Sequence, residues 1–336
     1  MYREQLMAAI HLYPWLESTW QRLLQLYNSQ RVPHALLISG AKGLGKANLI
    51  HAFEKLLLCQ APAEGACGTC RSCYLFEQNH HPDLRRLGED AKTIGIDEIR
   101  ELTHFLDQTS HQQGYKVVTL FQGDQLSHGS ANALLKTLEE PLGKTVLLLV
   151  AEQPQNMLAT LKSRCTHVHI VLPPLPVSLA WLQSNYSEND KYLQQCLALA
   201  AGSPLRAREF LDADTGNWRS ALTKAILIEP KSAFDSEDIQ QFIANQPREA
   251  LYLFYYWVAE VTRFALQAST GYLYTGSEVK HLEHLVRKIP LKKIFTFFEY
   301  LTESIKTLSL PGTNKQLLFE TLFYRWELLC SEGGSV

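Results

Sequence analysis

Four cysteines, Cys59, Cys67, Cys70 and Cys73, fall within fifteen residues of this 336-residue chain. Zinc takes four thiolates tetrahedrally, and two-residue gaps such as those between Cys67, Cys70 and Cys73 let neighbouring sulfurs bite one ion. Gly65 and Gly68 let the loop turn tightly around it. A set of four protein ligands leaves no open position, so its chemistry is structural rather than catalytic. The alternative is four free thiols. His80 and His81 are competing ligands by proximity, but their expected role is local, with His81-Pro82-Asp83 leading into a strand.

A second constellation lies just upstream. Gly40-Ala41-Lys42-Gly43-Leu44-Gly45-Lys46-Ala47 matches the phosphate-loop pattern G-x-x-x-x-G-K. The backbone N–H groups of such a loop form an anion nest at a helix N-terminus, and Lys46 can reach the phosphates. Gly40, Gly43, Gly45 and Lys46 are therefore candidate nucleotide-binding residues. The next position should carry a hydroxyl for Mg²⁺, and here it is Ala47. An ATPase of this type also ends a later strand with Asp-Glu, whereas this chain has Phe121-Gln122, followed by Gly123-Asp124. Phosphoryl transfer depends on positioning and on charge stabilisation by the metal, so hydrolysis is not expected. Weak nucleotide binding through the loop amides and Lys46 stays open, as does a glycine-rich turn that merely joins a strand to a helix.

These residues need a scaffold, and the sequence supplies one. Ala35–Ser39, Lys116–Phe121, Thr145–Val150 and His167–Val171 read as strands, and Asp83–Leu87 is a candidate for a further one. Between them, Ala47–Leu58, a periodic stretch from Ile96 to Leu106, Ser130–Glu140 (stopped by Pro141) and Leu158–Lys162 read as helices. Alternating strands and helices predict a mainly parallel sheet covered on both faces. Pro173, Pro174 and Pro176 mark a linker. Beyond it only helical periodicity remains, first in a small unit to about Leu211 with a turn at Gly202-Ser203-Pro204. Longer helices follow, including an apolar stripe of Leu291, Ile294, Phe298, Leu301, Ile305 and Leu308. Leu317–Leu329 is apolar on most faces and is expected to be buried between helices or subunits.

Composition narrows the class. Hydrophobic residues make up 46% of the chain, enough for a sizeable core, and the net charge is −2. That balance argues against a protein that wraps nucleic acid on its own. No apolar run reaches membrane-spanning length. The first residues lack a signal-peptide pattern, which predicts a cytoplasmic chain whose clustered thiols hold metal rather than form disulfides.

Together these residues resemble the bacterial AAA+ clamp-loader family, over most of the chain. Arg31 to Leu37 looks like the family's entry into its first strand, and residues 59–73 like its four-cysteine insertion. The run Ala131 to Pro141 and the motif Ser163-Arg164-Cys165 are highly specific to these proteins. Gly202 to Ala207 resembles the turn bearing the second sensor arginine, here Arg206, and Asn314–Trp326 looks like the end of the collar domain. The resemblance implies an AAA+ P-loop α/β domain over 1–172 with a zinc-binding insertion, a small helical lid over 173–212, and an all-α collar over 213–336. It implies that Arg164 is an arginine finger, offered in trans to ATP held by a neighbouring subunit. It also implies partners: clamp-loader subunits of gamma/tau and delta type in a five-membered ring, the sliding clamp indirectly, and primed DNA within the complex.

The departures sort this chain within the family. Members that burn ATP keep the hydroxyl and the Asp-Glu pair. This chain keeps neither, and Ala151-Glu152 lacks the usual threonines of the first sensor. The expected role is a non-hydrolysing end subunit of a DNA polymerase holoenzyme, with a structural zinc. Two other readings compete: an autonomous DNA-stimulated ATPase, opposed by Phe121-Gln122, and a zinc-dependent DNA-binding module, opposed by the charge balance and the closed thiolate set. Lys136 and Lys144 are the basic residues placed to touch DNA inside a ring, with a solvated surface as the alternative.

Overall fold

Alternation along the strands sends side chains into two cores. In strand β1 (Ala35–Ser39), Leu36 and Ile38 enter one core while Ala35 and Leu37 enter the other. The other strands are β2 (Leu84–Leu87), β3 (Lys116–Leu120), β4 (Thr145–Ala151) and β5 (Thr166–His169). All pairings are parallel, in the order β2-β3-β4-β1-β5. The structure is a computed structural model. It describes residues 12–332 apart from 64, 90–93, 107, 113, 140–142, 213–215, 229–233, 235, 267–275 and 309–311.

Helices α1 (Glu17–Asn28), α2 (Lys46–Leu58) and α3 (Arg71–Glu77) supply the first core, where Trp20, Leu23, Leu49, Phe53, Leu56 and Phe76 meet the sheet. Helices α4 (Ile96–Leu106), α5 (His128–Glu139) and α6 (Ala159–Lys162) supply the second, through Ile99, Phe105, Leu134, Leu138 and Leu161. Such double coverage is what a parallel sheet requires. The crevice for a ligand in this architecture lies beyond the carboxyl ends of the strands. The loop from β1 into α2 leaves there.

The chain divides into two compact units, Met1–Val177 and Ser178–Val336. The second is helical: α7 (Leu175–Asn185), α8 (Asp190–Leu199), α9 (Pro204–Asp212), α10 (Gly216–Leu227), α11 (Glu237–Asn245), α12 (Pro247–Ala265), α13 (Gly276–Lys288), α14 (Leu291–Leu308) and α15 (Lys315–Glu332). Its core includes Phe254, Phe297, Phe323 and Trp326, with ring centroids 5.0–5.9 Å apart. No helix among the described residues is long and apolar enough to cross a membrane.

Four expectations shift. Strand β5 stops at His169 rather than Val171, because its neighbour β1 ends at Ser39. After the bond from Ile170 N to Ser39 O the chain has no ladder, and Val171 and Leu172 are exposed. The proline linker shrinks to 171–174: Pro176 sits in the first turn of α7, where a missing N–H costs little. The buried face of α14 runs through Ile294, Phe297, Leu301 and Ser304, leaving Leu291 exposed. Helix α15 is two-faced: Phe319, Leu322, Phe323 and Trp326 are buried, while Leu317, Tyr324 and Leu328 face solvent. The helix stop expected at Pro141 lies outside the described residues.

Candidate functional site

The glycine loop has the expected backbone. Gly43 and Gly45 adopt left-handed φ values of 77° and 79°, and Gly45 is the N-cap of α2. What fills the loop was not legible in its motif. Lys46 is buried, and its Nζ donates to Gly40 O and Ala41 O, both at 2.8 Å. Burial pushes its pKa below the ordinary lysine value, while Glu152 and Asp124 oppose that shift. The Tyr13 ring packs against Gly45 so closely that a Cβ there would lie 2.5 Å from it. Tyr13 stacks on Trp15 at 5.0 Å, and Trp15 Nε1 donates to Leu44 O at 3.0 Å. The sequence signal was present but unread: Leu16, Trp20 and Leu23 recur at helical spacing and seat α1 against the sheet, bringing these aromatics onto the loop.

The end of β3 carries no carboxylate. Phe121 is buried and meets the edge of His51 at 6.2 Å. Gln122 takes a left-handed φ of 58° and donates through Nε2 to Gly88 O. Asp124 accepts from Gln153 N at 2.8 Å, so it is a turn residue that ties two loops together. At the candidate first-sensor position, Ala151 O accepts from Gly40 N. The second-sensor candidate, Arg206 on α9, lies 5.2 Å from the Tyr252 ring centroid and hydrogen-bonds Tyr256, both on α12.

The loop and the cysteine cluster are held by two buried polar networks. Glu54 on α2 is fully buried and accepts from Arg86 Nε and Nη2 on β2, at 2.9 and 2.6 Å, and from the Thr119 hydroxyl on β3. Arg86 also covers the Phe76 ring of α3. In the second network His81 Nδ1 accepts from Asp83 N, which places the proton on Nε2. Nε2–H then donates to Ser72 Oγ at 2.7 Å, and Ser72 Oγ donates to Leu58 O. Asp83 in turn accepts from Ser110 Oγ, His111 N and Gln112 N. Serine, histidine and aspartate in a row suggest a nucleophile, but this serine spends its proton on a carbonyl, and the aspartate meets the imidazole through its backbone N–H while its carboxylate accepts from Ser110, His111 and Gln112. The residues are a brace, and His81 is thereby engaged away from the cysteines.

The four sulfurs of Cys59, Cys67, Cys70 and Cys73 lie within 4.8 Å of one another. Thiolates about 2.3 Å from one zinc should sit about 3.8 Å apart at tetrahedral angles. Cys59–Cys70 and Cys67–Cys73 are both 4.0 Å apart, so the residues fit the ion. A disulfide would require about 2.05 Å. Backbone amides support negative sulfur: Cys67 N points at Cys59 Sγ, Cys70 N at Cys67 Sγ, and Cys73 N at Cys70 Sγ, at 3.2–3.4 Å. N–H groups of Thr69 and Cys70 pull the Cys67 thiol down to about 6. At Cys70 burial opposes, but the amides of Cys73 and Gln60 outweigh it and the pKa is lowered. Burial raises Cys59 and Cys73.

Arg164 follows α6 in the turn before β5. Cys165 anchors that turn, buried, with its thiol donating to Leu161 O. The Arg164 guanidinium is not free. Nη1 donates to Thr160 O at 2.9 Å, and Nη2 pairs with Glu139 Oε1 at 2.5 Å. Glu139, the last residue of α5, lies in the run Ala131 to Pro141, but its pairing with Arg164 was not foreseen from the sequence.

A doubly covered parallel sheet, a glycine loop between β1 and α2, and a four-cysteine insertion after α2 define a class of nucleotide-loop α/β proteins joined to a helical unit. The family described as DNA polymerase III, delta subunit, matches residues 15–174. DNA polymerase III subunit delta′ of Pseudomonas aeruginosa is 33% identical over 96% of this chain and 99% of its own length. The Escherichia coli subunit delta′ is 32% identical over 96% and 97%. A gamma-subunit-related protein of Thermotoga maritima overlays with a TM-score of 0.44 at 17% identity, covering 94% of this chain and 99% of its own, too loosely to argue from. The chain belongs to the DNA polymerase III delta′ subunit family.

Proposed function

We propose that this chain is a non-hydrolysing subunit of the DNA polymerase III clamp loader, acting in replication with gamma/tau- and delta-type subunits to place the sliding clamp on primed DNA. One observation carries the reading: the groups that would act on a nucleotide are spent on the chain itself. Lys46 serves loop carbonyls, Arg206 serves Tyr252 and Tyr256, and Ala47 and Phe121-Gln122 offer Mg²⁺ no oxygen of the required kind. Arg164 is the exception, because its exposed pair with Glu139 is weak enough for another anion to displace.

Arg164 therefore acts in trans on ATP held by a neighbour, where a planar, permanently charged fork stabilises transition-state charge. The zinc at Cys59, Cys67, Cys70 and Cys73 is structural: it closes the insertion 59–73. In this reading residues 1–172 form the AAA+ domain, 173–212 the lid and 213–336 the collar, and the chain works in the cytoplasm. The test is a reconstituted loader carrying Arg164→Ala. Assembly by gel filtration should be intact, while DNA- and clamp-stimulated ATP turnover should fall in part, since the other sites keep their own fingers. Arg164→Lys should rescue little. Unchanged turnover in an assembled Arg164→Ala complex would make the arginine a bystander. ATP turnover by the isolated chain that Lys46→Ala abolishes would favour an autonomous ATPase instead.

A further inference from the structure

We infer that Glu139 is a positioning residue for Arg164: it orients the guanidinium toward a phosphate carried by a neighbouring chain. The inference rests on the reading of Arg164 as a finger acting in trans.

Two different elements hold the guanidinium. The carbonyl of Thr160, on α6, accepts from Nη1 at 2.9 Å, and Glu139 Oε1, at the end of α5, accepts from Nη2 at 2.5 Å. The α5 and α6 backbones pack together, and Leu138 and Leu161 share one buried cluster, so the two anchors are fixed relative to each other. An unanchored arginine at the surface would spread over many rotamers and reach a productive one only part of the time. Holding a reacting or stabilising group in its working orientation is a recognised source of rate. A guanidinium carries five donors, and these two bonds leave others for a ligand.

The strength of the pair decides between orienting and trapping. Arg164 is 35% exposed at the side chain and Glu139 is 52% exposed. An exposed pair shifts an equilibrium by at most about fivefold. Glu139 thus limits the wandering of the arginine without competing seriously against a polyanionic phosphate, to which Arg can bind with two parallel hydrogen bonds.

The experiment is a double-mutant cycle in the reconstituted loader, with Glu139→Ala, Glu139→Gln, Arg164→Ala and the Glu139→Ala/Arg164→Ala pair, each checked for assembly and melting temperature. Glu139→Ala should produce about half or more of the loss in stimulated kcat given by Arg164→Ala, with KM for ATP unchanged. Glu139→Gln should recover most of it, because its amide oxygen still accepts from Nη2. The double variant should be no slower than Arg164→Ala alone, as expected for two residues acting through one contact. If Arg164→Ala slows turnover and Glu139→Ala does not, the positioning role is wrong while the finger stands. Faster turnover in Glu139→Ala would show that the carboxylate holds the arginine back. If Arg164→Ala itself has no effect, the finger reading falls and takes this inference with it.

Discussion

Heating the isolated chain in the presence of about 5 mM Mg·ATP should leave its melting temperature almost unmoved. A phosphate seated in the loop would have to draw Lys46 from Gly40 O and Ala41 O, each 2.8 Å away, and work beside a Tyr13 ring already packed on Gly45. Hydrogen bonds from a charged group count for about 1.5–3 kcal/mol each, so freeing Lys46 costs about 3–6 kcal/mol. That weakens binding by about 10²–10⁴-fold. An open loop with a dissociation constant of about 50 µM would be stabilised by about 2.7 kcal/mol at a hundredfold excess of ligand. In a unit the size of Met1–Val177 this is a rise of about 5–11 °C. A hundredfold weaker site gives about 0.4 kcal/mol, or about 1–2 °C. Differential scanning fluorimetry with salt-matched controls separates the two. Ala47→Thr alone should not restore the shift, because it supplies a metal ligand without opening the loop. A rise above about 4 °C in the wild type, abolished by Lys46→Met, would refute the closed loop.

Protein purified without chelator should carry one zinc per chain, and Cys70→Ser should lose it; zinc near zero with four reactive thiols would end the metal assignment. Glu54→Ala should cost about 3–5 kcal/mol by urea denaturation, because it takes away the carboxylate paired with Arg86 and leaves that guanidinium Asn79 Oδ1 and the Phe76 ring, whereas Glu54→Met with Arg86→Met should come closer to neutral. A loss under about 1 kcal/mol in Glu54→Ala would contradict the buried pair. Burial lowers the pKa of His81 below 6.5. The unfolded chain therefore binds more protons in the window beneath that value, and stability falls as pH drops through 6.5 toward the folded pKa. His81→Gln should flatten this slope between about pH 5 and 7 at saturating zinc; an unchanged slope would remove His81 as its source.

The central strands were legible because a sheet covered on both faces buries β1, β3 and β4 along their whole length, and these three fell within a residue of their expected ends. The cysteine cluster was legible because x2 spacing is itself geometry. The occupants of the loop were not. Lys46 turns back to its own carbonyls, and the rings packed on the loop, Tyr13 and Trp15, come from some thirty residues earlier. Glu139 escaped for the same reason: nothing local joins it to Arg164, 25 residues away. His81 was expected to act locally, and its hydrogen bonds with Asp83 N and Ser72 Oγ are the local role it plays.

The survival of a phosphate-loop motif is thus no argument for a working nucleotide site here. Lys46 without its carbonyls would be a buried cation lacking partners, and without Lys46 the carbonyls of Gly40 and Ala41 would each lose an acceptor bond. Arg164 differs in kind. Its anchors are a half-exposed carboxylate and one carbonyl, an arrangement worth about 1 kcal/mol or less to stability. A contact that weak is a poor reason to hold a long cationic side chain in one place for the fold's sake. Under the proposed role in trans, an anion brought by another chain would need to overcome little to engage the guanidinium. The same comparison of strengths thus separates Lys46, bound to two loop carbonyls, from Arg164, held by a half-exposed pair and one carbonyl.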